Sequence, residues 1–451
     1  MYVKTIQKGV ISPMNLNKEF PSVVKYMGSK TDVLTLIENG MNYLDRDYKN
    51  ICDLFAGSAT LSAALRGNGN IISNDIQTYS SVFAKTYFSN YTWSEYPDIE
   101  NIFVQAEDRV NRFNKHFKEY DGKFLYDKDM SLEKLNDLEK KQRDLINKND
   151  WNTFDDYYLF VKYYSGTYWS YDQCVWIDSY RSVIEKYHDQ EELYNLLLSC
   201  LIYAMAYNSQ STGHYAQYRI PENDSSKEDI LIYRRKNLSD FFIRKYYELR
   251  KFLNKDHHHH ISTTTLTDLE CLNQIPEHSL VYADPPYCFV HYSRFYHVLE
   301  TLIKYDYPKV QYKGRYRDDR YQSGYCKKTE VSQSFSDMFI GIRNKHSDMI
   351  LSYSNSDTNT IEIEKLMRIC CEIFNRNICT DDILDVAIHR SKMFFKNKKA
   401  FAKIMSSELC GIDLAYEISI MKKPYNHSRM GRKDSKTIKV TEVIIIAKFL
   451  Y

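Results

Sequence analysis

Residues 49–76, KNICDLFAGSATLSAALRGNGNIISNDI, constrain the fold more tightly than any other part of the chain. A short apolar run, ICDLF, breaks at four small residues, Ala56, Gly57, Ser58 and Ala59. A helical stretch starts at Thr60, and a second apolar run follows that ends on Asp75. Two short apolar strands joined through a helix are the signature of a crossover, which makes the strands parallel and lays helices on the sheet. The segment predicts an α/β fold of the doubly wound type.

At 451 residues the chain has room for a large core and two or three domains. Its formal charge is only +2, which excludes a global polycation, so attraction to nucleic acid has to come from local patches. Tyrosine stands out at 40 residues, a side chain that suits half-buried positions as well as stacking surfaces. Ten cysteines occur without a CxxC pair, and Cys370-Cys371 fall on an apolar helical run. Free buried thiols in a reducing, cytoplasmic setting are the expectation. The first twenty residues lack the apolar core of a signal peptide, and no run approaches the roughly 18 apolar residues of a membrane span. Four histidines, His257 to His260, lie in a polar loop where neighbouring side chains diverge, and no metal site is expected.

Along the chain, Val33, Leu34, Leu36, Ile37 and Met41 predict a helix from Thr31, after a turn at Gly28-Ser29 flanked by Lys25 and Lys30. Residues 93–249 read as mostly helical; within them 197–205 form an apolar helix that empties into the polar loop NSQSTGHYAQYR. Strand patterns return over 261–287. Residues 304–328 are basic and aromatic, with eight Lys or Arg against three Asp. A helix, a strand ending near Ser352, another helix and a final strand over 438–447 complete the reading.

Three features carry chemistry. A strand that ends in small residues before a helix lets a ligand approach the backbone and meet free amides. Asp75, closing the next strand, is placed to accept from ribose hydroxyls, as acids do in doubly wound folds, although an Asp there also caps a helix well. The GxGxxG that cradles a pyrophosphate is missing, so the pair points to a nucleoside cofactor without one. The third feature is Asp284-Pro285-Pro286-Tyr287, directly after the apolar run LVYA. The prolines fix the backbone and remove donors, Asp284 adds a carboxylate acceptor, and Tyr287 adds a flat ring. Two acceptors beside a ring suit the planar amino group of a nucleobase.

With KYMGSK (25–30), DLFAGS (53–58), NDI (74–76) and DPPY (284–287) in that order, the chain resembles the D12 class of N6-adenine-specific DNA methyltransferases, the family of the bacterial Dam enzymes, in the alpha arrangement. LTDLECL, HYSRFYH, ILSYSNSD and the tail HSRMGR with TEVIII add to the resemblance. It implies a Rossmann-like S-adenosylmethionine-dependent methyltransferase domain, residues 1–90 and 256–451, with a largely helical target-recognition insertion at 91–255. The implied catalytic residues are Asp284, Pro285, Pro286 and Tyr287. Implied cofactor contacts are Lys25, Tyr26, Gly28, Lys30, Asp53, Phe55, Ala56, Gly57, Ser58, Asp75, Ile76 and Asp268. DNA contacts are expected from His214, Gln217 and Arg219 in the polar loop, with Gln210 at its start, from Tyr292 and Arg294 behind the motif, and from Lys313, Arg315 and Arg317 in the basic stretch. The implied reaction methylates N6 of an adenine flipped out of double-stranded DNA, in restriction-modification or related bacterial or phage DNA marking. A monomer is the default, and a separately encoded restriction endonuclease is a candidate partner. N4-cytosine transfer, RNA adenine transfer and a silent DNA-binding module are the alternatives. One departure stands out: members usually carry glycine where this chain has Ala59, whose methyl would narrow the cofactor's approach and which helical φ and ψ would tolerate.

Overall fold

The computed structural model describes residues 13–26, 30–211, 214–254, 260–287, 289, 291–356, 359–376, 378–427 and 438–451. Gly28, Thr212, Gly213, His257 to His259, Cys288 and most of the HSRMGR segment lie outside them.

Eight strands form one sheet: β1 Asn50–Asp53, β2 Asn70–Asn74, β3 Ile261–Thr264, β4 Leu280–Ala283, β5 Asp348–Asn355, β6 Phe401–Met405, β7 Tyr416–His427 and β8 Ile438–Phe449. Their order is β3-β2-β1-β4-β5-β8-β7-β6. The first five in that order are parallel, and β8, β7 and β6 add on antiparallel. β1 and β4 read as continuous apolar runs because both their faces are covered; all four residues of β4 are buried.

Strand alternation divides the core in two. Ile51, Tyr282, Ile350 and Ile444 face one side, Cys52, Val281, Leu351 and Ile445 the other. The first side carries α1 Leu34–Leu44 and α3 Thr78–Phe88, and its core runs on without a break into the helical insertion. Gly40 marks how closely α1 lies on β8: a Cβ there would stand 2.6 Å from Ile444 Cδ1. The second side carries the helices Asp268–Gln274, Val331–Asn344, Ile363–Phe374 and Asp381–Lys396.

Between α3 and β3 the chain builds helices Ile99–His116, Leu132–Arg143, Leu159–Tyr164, Tyr171–Glu185, Glu191–Asn208, Asp224–Arg234 and Leu238–Leu253. One buried ion pair organises this insertion. Arg234 meets both carboxylate oxygens of Glu139 at 2.7 and 3.0 Å, and neither side chain is exposed. Two further donors reach the carbonyls of Tyr168 and Thr167 at 2.6 Å, so each guanidinium nitrogen has a partner.

The structure departs from the sequence reading in the C-terminal third. β5 runs to Asn355, past Ser352, and the expected lone final strand is paired with β7, itself paired with β6. β7 buries Ile418, Ser419 and Ile420 within a mostly polar stretch, a pattern easily passed over beside the apolar run 443–447 of β8.

Candidate active site

After β1 the chain moves outward to β2 and β3, then returns to place β4 on the other side of β1. The crevice beyond the C-terminal ends of β1 and β4 is therefore the topological switch point, where doubly wound sheets take ligands. A cleft opens there. Its walls include Tyr26, Lys30, Asp53, Phe55, Ala56, Gly57, Ser58, Asp75, Ile76 and Asp268, together with Asp284, Pro285, Pro286, Tyr287 and Tyr292.

The floor is the small-residue turn before α2 (Thr60–Ala64). Ala56 N–H donates to Asn74 O at 2.8 Å, tying the turn to β2. Gly57 has φ of +52°, and a Cβ there would come within 3.1 Å of the Tyr26 ring. Ala59 corrects the sequence expectation. It caps α2 with φ of +54°, in the left-handed region and outside helical space. Its methyl is fully buried and does not line the cleft, so it strains the turn without narrowing the entrance.

Asp75 accepts from Gly57 N–H at 2.9 Å and Gln77 N–H at 2.8 Å, which fixes the turn against the start of α3 while the carboxylate still borders the cleft. Burial pushes its carboxyl up to about 6. Asp53 lies deeper, accepts from Ser62 Oγ at 2.8 Å, and is pushed up to about 7 by burial. Asp268 opens the helix Asp268–Gln274 behind a Thr267–Glu270 capping box and accepts from Tyr325 Oη. Tyr325 stands edge-on to Phe55 with ring centres 5.5 Å apart.

At the end of β4, Asp284 Oδ1 lies 3.0 Å from Lys30 Nζ, and the same ammonium lies 3.0 Å from Glu442 Oε1 on β8. Ser352 on β5 donates to that Glu442 oxygen at 3.2 Å. The Lys30–Asp284 contact is an ion pair off hydrogen-bond alignment, and buried Oδ1 has no donor aimed at it. Burial raises the Asp284 carboxyl to about 6; Lys30 opposes that and Glu442 adds to it. The Tyr287 ring meets Tyr353 edge-on at 5.4 Å, and its carbonyl accepts from Thr360 N–H at 2.9 Å. Tyr26 stacks on Tyr296 at 4.3 Å and on Tyr292 at 5.8 Å, joining the N-terminal motif to the segment after DPPY.

Lys25 stands apart from the cleft lining, with Nζ 4.1 Å above the Tyr207 ring. The remaining candidates converge on a second locus. Tyr215 N–H donates to Phe295 O at 2.7 Å, His297 Nε2 meets Tyr215 O at 3.0 Å, and Tyr168 Oη meets Gly314 O at 3.0 Å. The polar loop, the segment after DPPY and the hairpin of residues 310–317 are thereby one packed unit. His214 stacks on Phe295 at 4.4 Å, Arg294 Nε donates to Tyr316 Oη at 3.1 Å, and Gln217 and Lys313 are exposed. Arg219 pairs with Asp229 at 2.7 Å, and Gln210, buried, donates to the same carboxylate at 3.0 Å. Arg315 and Arg317 turn inward: Arg315 donates to the carbonyls of Tyr163 and Arg143, and Arg317, 2% exposed, bonds Asp306 and Asp319.

Sequence reasoning did not single out Tyr282 and Tyr325, which line the cleft, or Glu442 and Ser352, which stand behind Lys30. An acid directly before an apolar run, Glu442 ahead of residues 443–447, was the signal available.

A central mostly parallel sheet flanked by helices, with these two turns at its switch point, is consistent with a Rossmann-like methyltransferase. The chain belongs to the D12 class N6 adenine-specific DNA methyltransferase family, whose model matches residues 26–369. It is 23% identical over 392 residues to Modification methylase LlaI of Lactococcus lactis subsp. lactis, covering 84% of this chain and 52% of that protein. It is 22% identical over 343 residues to Type II methyltransferase M.FokI of Planomicrobium okeanokoites, covering 74% and 44%, and 23% identical over 428 residues to Modification methylase StsI of Streptococcus sanguinis, covering 93% and 55%. The chain thus spans about half the length of these relatives. Among the described residues no helix is long and apolar enough to cross a membrane, and no group of three or more His, Cys, Asp or Glu is placed to hold a metal ion.

Proposed function

We propose that the cleft binds S-adenosylmethionine and methylates the N6 amino group of adenine in double-stranded DNA. The observation that carries this reading is Asp284: a buried carboxylate oxygen with no aligned donor, at the switch point, beside a turn that lets a ligand reach the backbone. The residues present fit the cofactor. Asp75 suits ribose hydroxyls, Asp268 suits the adenine amino group with Phe55 against its ring, and Gly57 leaves room for the chain carrying the sulfonium. When bound, S-adenosylmethionine supplies an activated methyl group.

The protein's own part is position and field. Asp284 and the Pro285 carbonyl accept hydrogen bonds from the two amino hydrogens, which concentrates lone-pair density on the nitrogen, and the proton that becomes acidic once the nitrogen is methylated leaves through Asp284 to solvent. Tyr287 stacks on the base, and Lys30 with Glu442 sets the charge state of Asp284. A base in a duplex has to be flipped to reach this depth, at a cost of a few kcal/mol. The packed unit of polar loop and hairpin, with Gln217, Lys313 and Tyr292, is the candidate for offsetting that cost, and the helical insertion is the candidate for target recognition. A role in restriction-modification beside a separate nuclease, a monomeric state and a cytoplasmic setting belong to the same proposal.

The test is transfer of labelled methyl from S-adenosylmethionine to mixed-sequence duplex DNA, followed by hydrolysis to nucleosides. Label in N6-methyladenosine is the expected result. Label in cytosine overturns the base assignment, label in matched RNA the substrate class, and cofactor binding without turnover leaves a silent binding module.

A pH prediction follows from the ion-paired triad. Asp284 must be ionised to accept, so kcat/KM should fall about tenfold per pH unit below about 6. Lys30 favours the charged form and Glu442 disfavours it, so Lys30→Gln should move this acid limb to higher pH and Glu442→Gln to lower pH. pH–rate profiles of the two variants moving in the same direction would sink the assignment.

A further inference from the structure

A cation patch lies outside the cleft. Lys25, Lys236 and Arg244 each sit on an aromatic face: Lys25 Nζ 4.1 Å from Tyr207, Lys236 Nζ 3.7 Å from Tyr233, and the Arg244 guanidinium 4.6 Å from Phe241. One row of rings joins them, because Tyr203 and Tyr207 are 4.3 Å apart and Tyr207 and Phe241 6.0 Å apart. Lys236 also donates to Tyr207 O at 3.0 Å, and Arg244 to Tyr203 Oη at 3.2 Å. Among the described residues none of the three has a carboxylate within ion-pair distance. Of the acids nearby, Asp229 is committed to Arg219 and Gln210 and Glu248 to Lys245 at 2.6 Å, while Asp240, one turn before Arg244 on the same helix, is exposed and outside ion-pair distance of the three.

Aromatic faces hold cations in place without neutralising them. Like charges grouped this way repel, so the arrangement costs stability in the free protein and calls for an anion. Lys236 immediately precedes the cap of the sixteen-residue helix Leu238–Leu253, whose N-terminal amides are partly offset by Asp240 in the first turn. Position narrows the anion. Tyr203 and Tyr207 lie in the last turns of the helix Glu191–Asn208, from which the polar loop emerges, and Lys25 adjoins Tyr26 on the cleft wall. The patch spans the ground between the loop and the cleft mouth.

We propose that Lys25, Lys236 and Arg244 grip the phosphodiester backbone of the substrate DNA beside the flipped nucleotide. The contacts are independent of sequence, and the inference rests on the reading that the substrate is duplex DNA.

The experiment is the salt dependence of duplex affinity for the whole chain, wild type against Lys236→Gln/Arg244→Gln. Each phosphate contact contributes about 0.9 to the slope of log K against log salt. The double variant is expected to lose about 2 from that slope, equally on unrelated sequences, with a raised KM for DNA and unchanged cofactor affinity. Lys236→Arg/Arg244→Lys, which keeps both charges, should retain the slope, and so should Lys398→Gln/Lys399→Gln, which removes two exposed charges elsewhere. A wild-type slope in the first variant, or an equal loss in the Lys398/Lys399 variant, overturns the proposal. If wild type methylates adenine in duplex DNA while the first variant keeps its slope, only this inference fails. If wild type binds no duplex, the substrate reading fails with it.

Discussion

Asp284→Asn should cut methyl transfer by about a hundred- to a thousandfold while making the protein more stable. The loss follows because the amide turns one acceptor into a donor facing the amino group it has to receive. The gain follows from linkage. Burial holds the folded carboxyl at about 6, above its usual value near 4, so the folded state binds that proton more tightly than the unfolded chain. The stability tied to this group is fully present below the unfolded value and is lost as pH rises through about 6. At pH 8 the ionised group therefore costs of order 1–3 kcal/mol, which the neutral amide recovers. Single-turnover transfer and urea midpoints at pH 8 test both halves. Transfer within tenfold of wild type, or a midpoint below wild type's, would count against the role given to Asp284.

The largest expected loss of stability lies far from the cleft. Glu139→Ala should cost about 3–5 kcal/mol, because it strands the fully buried Arg234 guanidinium with no counter-charge at its centre. Replacing both partners together, Glu139→Leu with Arg234→Met, should recover part of that loss, since the desolvation of two charges disappears with them while Arg143, 3.5 Å from the same carboxylate, loses that partner. Urea denaturation of the single and double variants measures the difference. A single variant within 1 kcal/mol of wild type would show that water reaches the arginine.

What the sequence disclosed and what it hid follow from distance along the chain. The turn after β1, the acid after β2 and the Asp-Pro-Pro-Tyr turn were readable because each is local: a strand, a break and a residue type within a dozen positions. Ala59 was misread because its left-handed φ is set by the turn's closure onto Ala56 O, which composition does not reveal. The basic stretch showed its charge but not its partners. Asp306 and Asp319 sit within the same segment and take Arg317, and the carbonyls that take Arg315 come from the helical insertion. The cation patch was invisible for the converse reason: Lys25 was read as a cofactor contact, Lys236 and Arg244 are unremarkable singly, and the three meet only through the packing of Tyr207 and Phe241.

The contact between Lys30 and Glu442 spans 412 positions. On the ribosome, Lys30, the small-residue turn and Asp284 all emerge before Glu442 does. A nascent chain holding every motif of the cleft still lacks the strand that covers β5 and the carboxylate that balances the ammonium. At the usual elongation rate of about 5–20 residues per second, the interval between Asp284 and Glu442 is on the order of ten seconds or more. A chain interrupted before β8 carries the motifs without the completed triad.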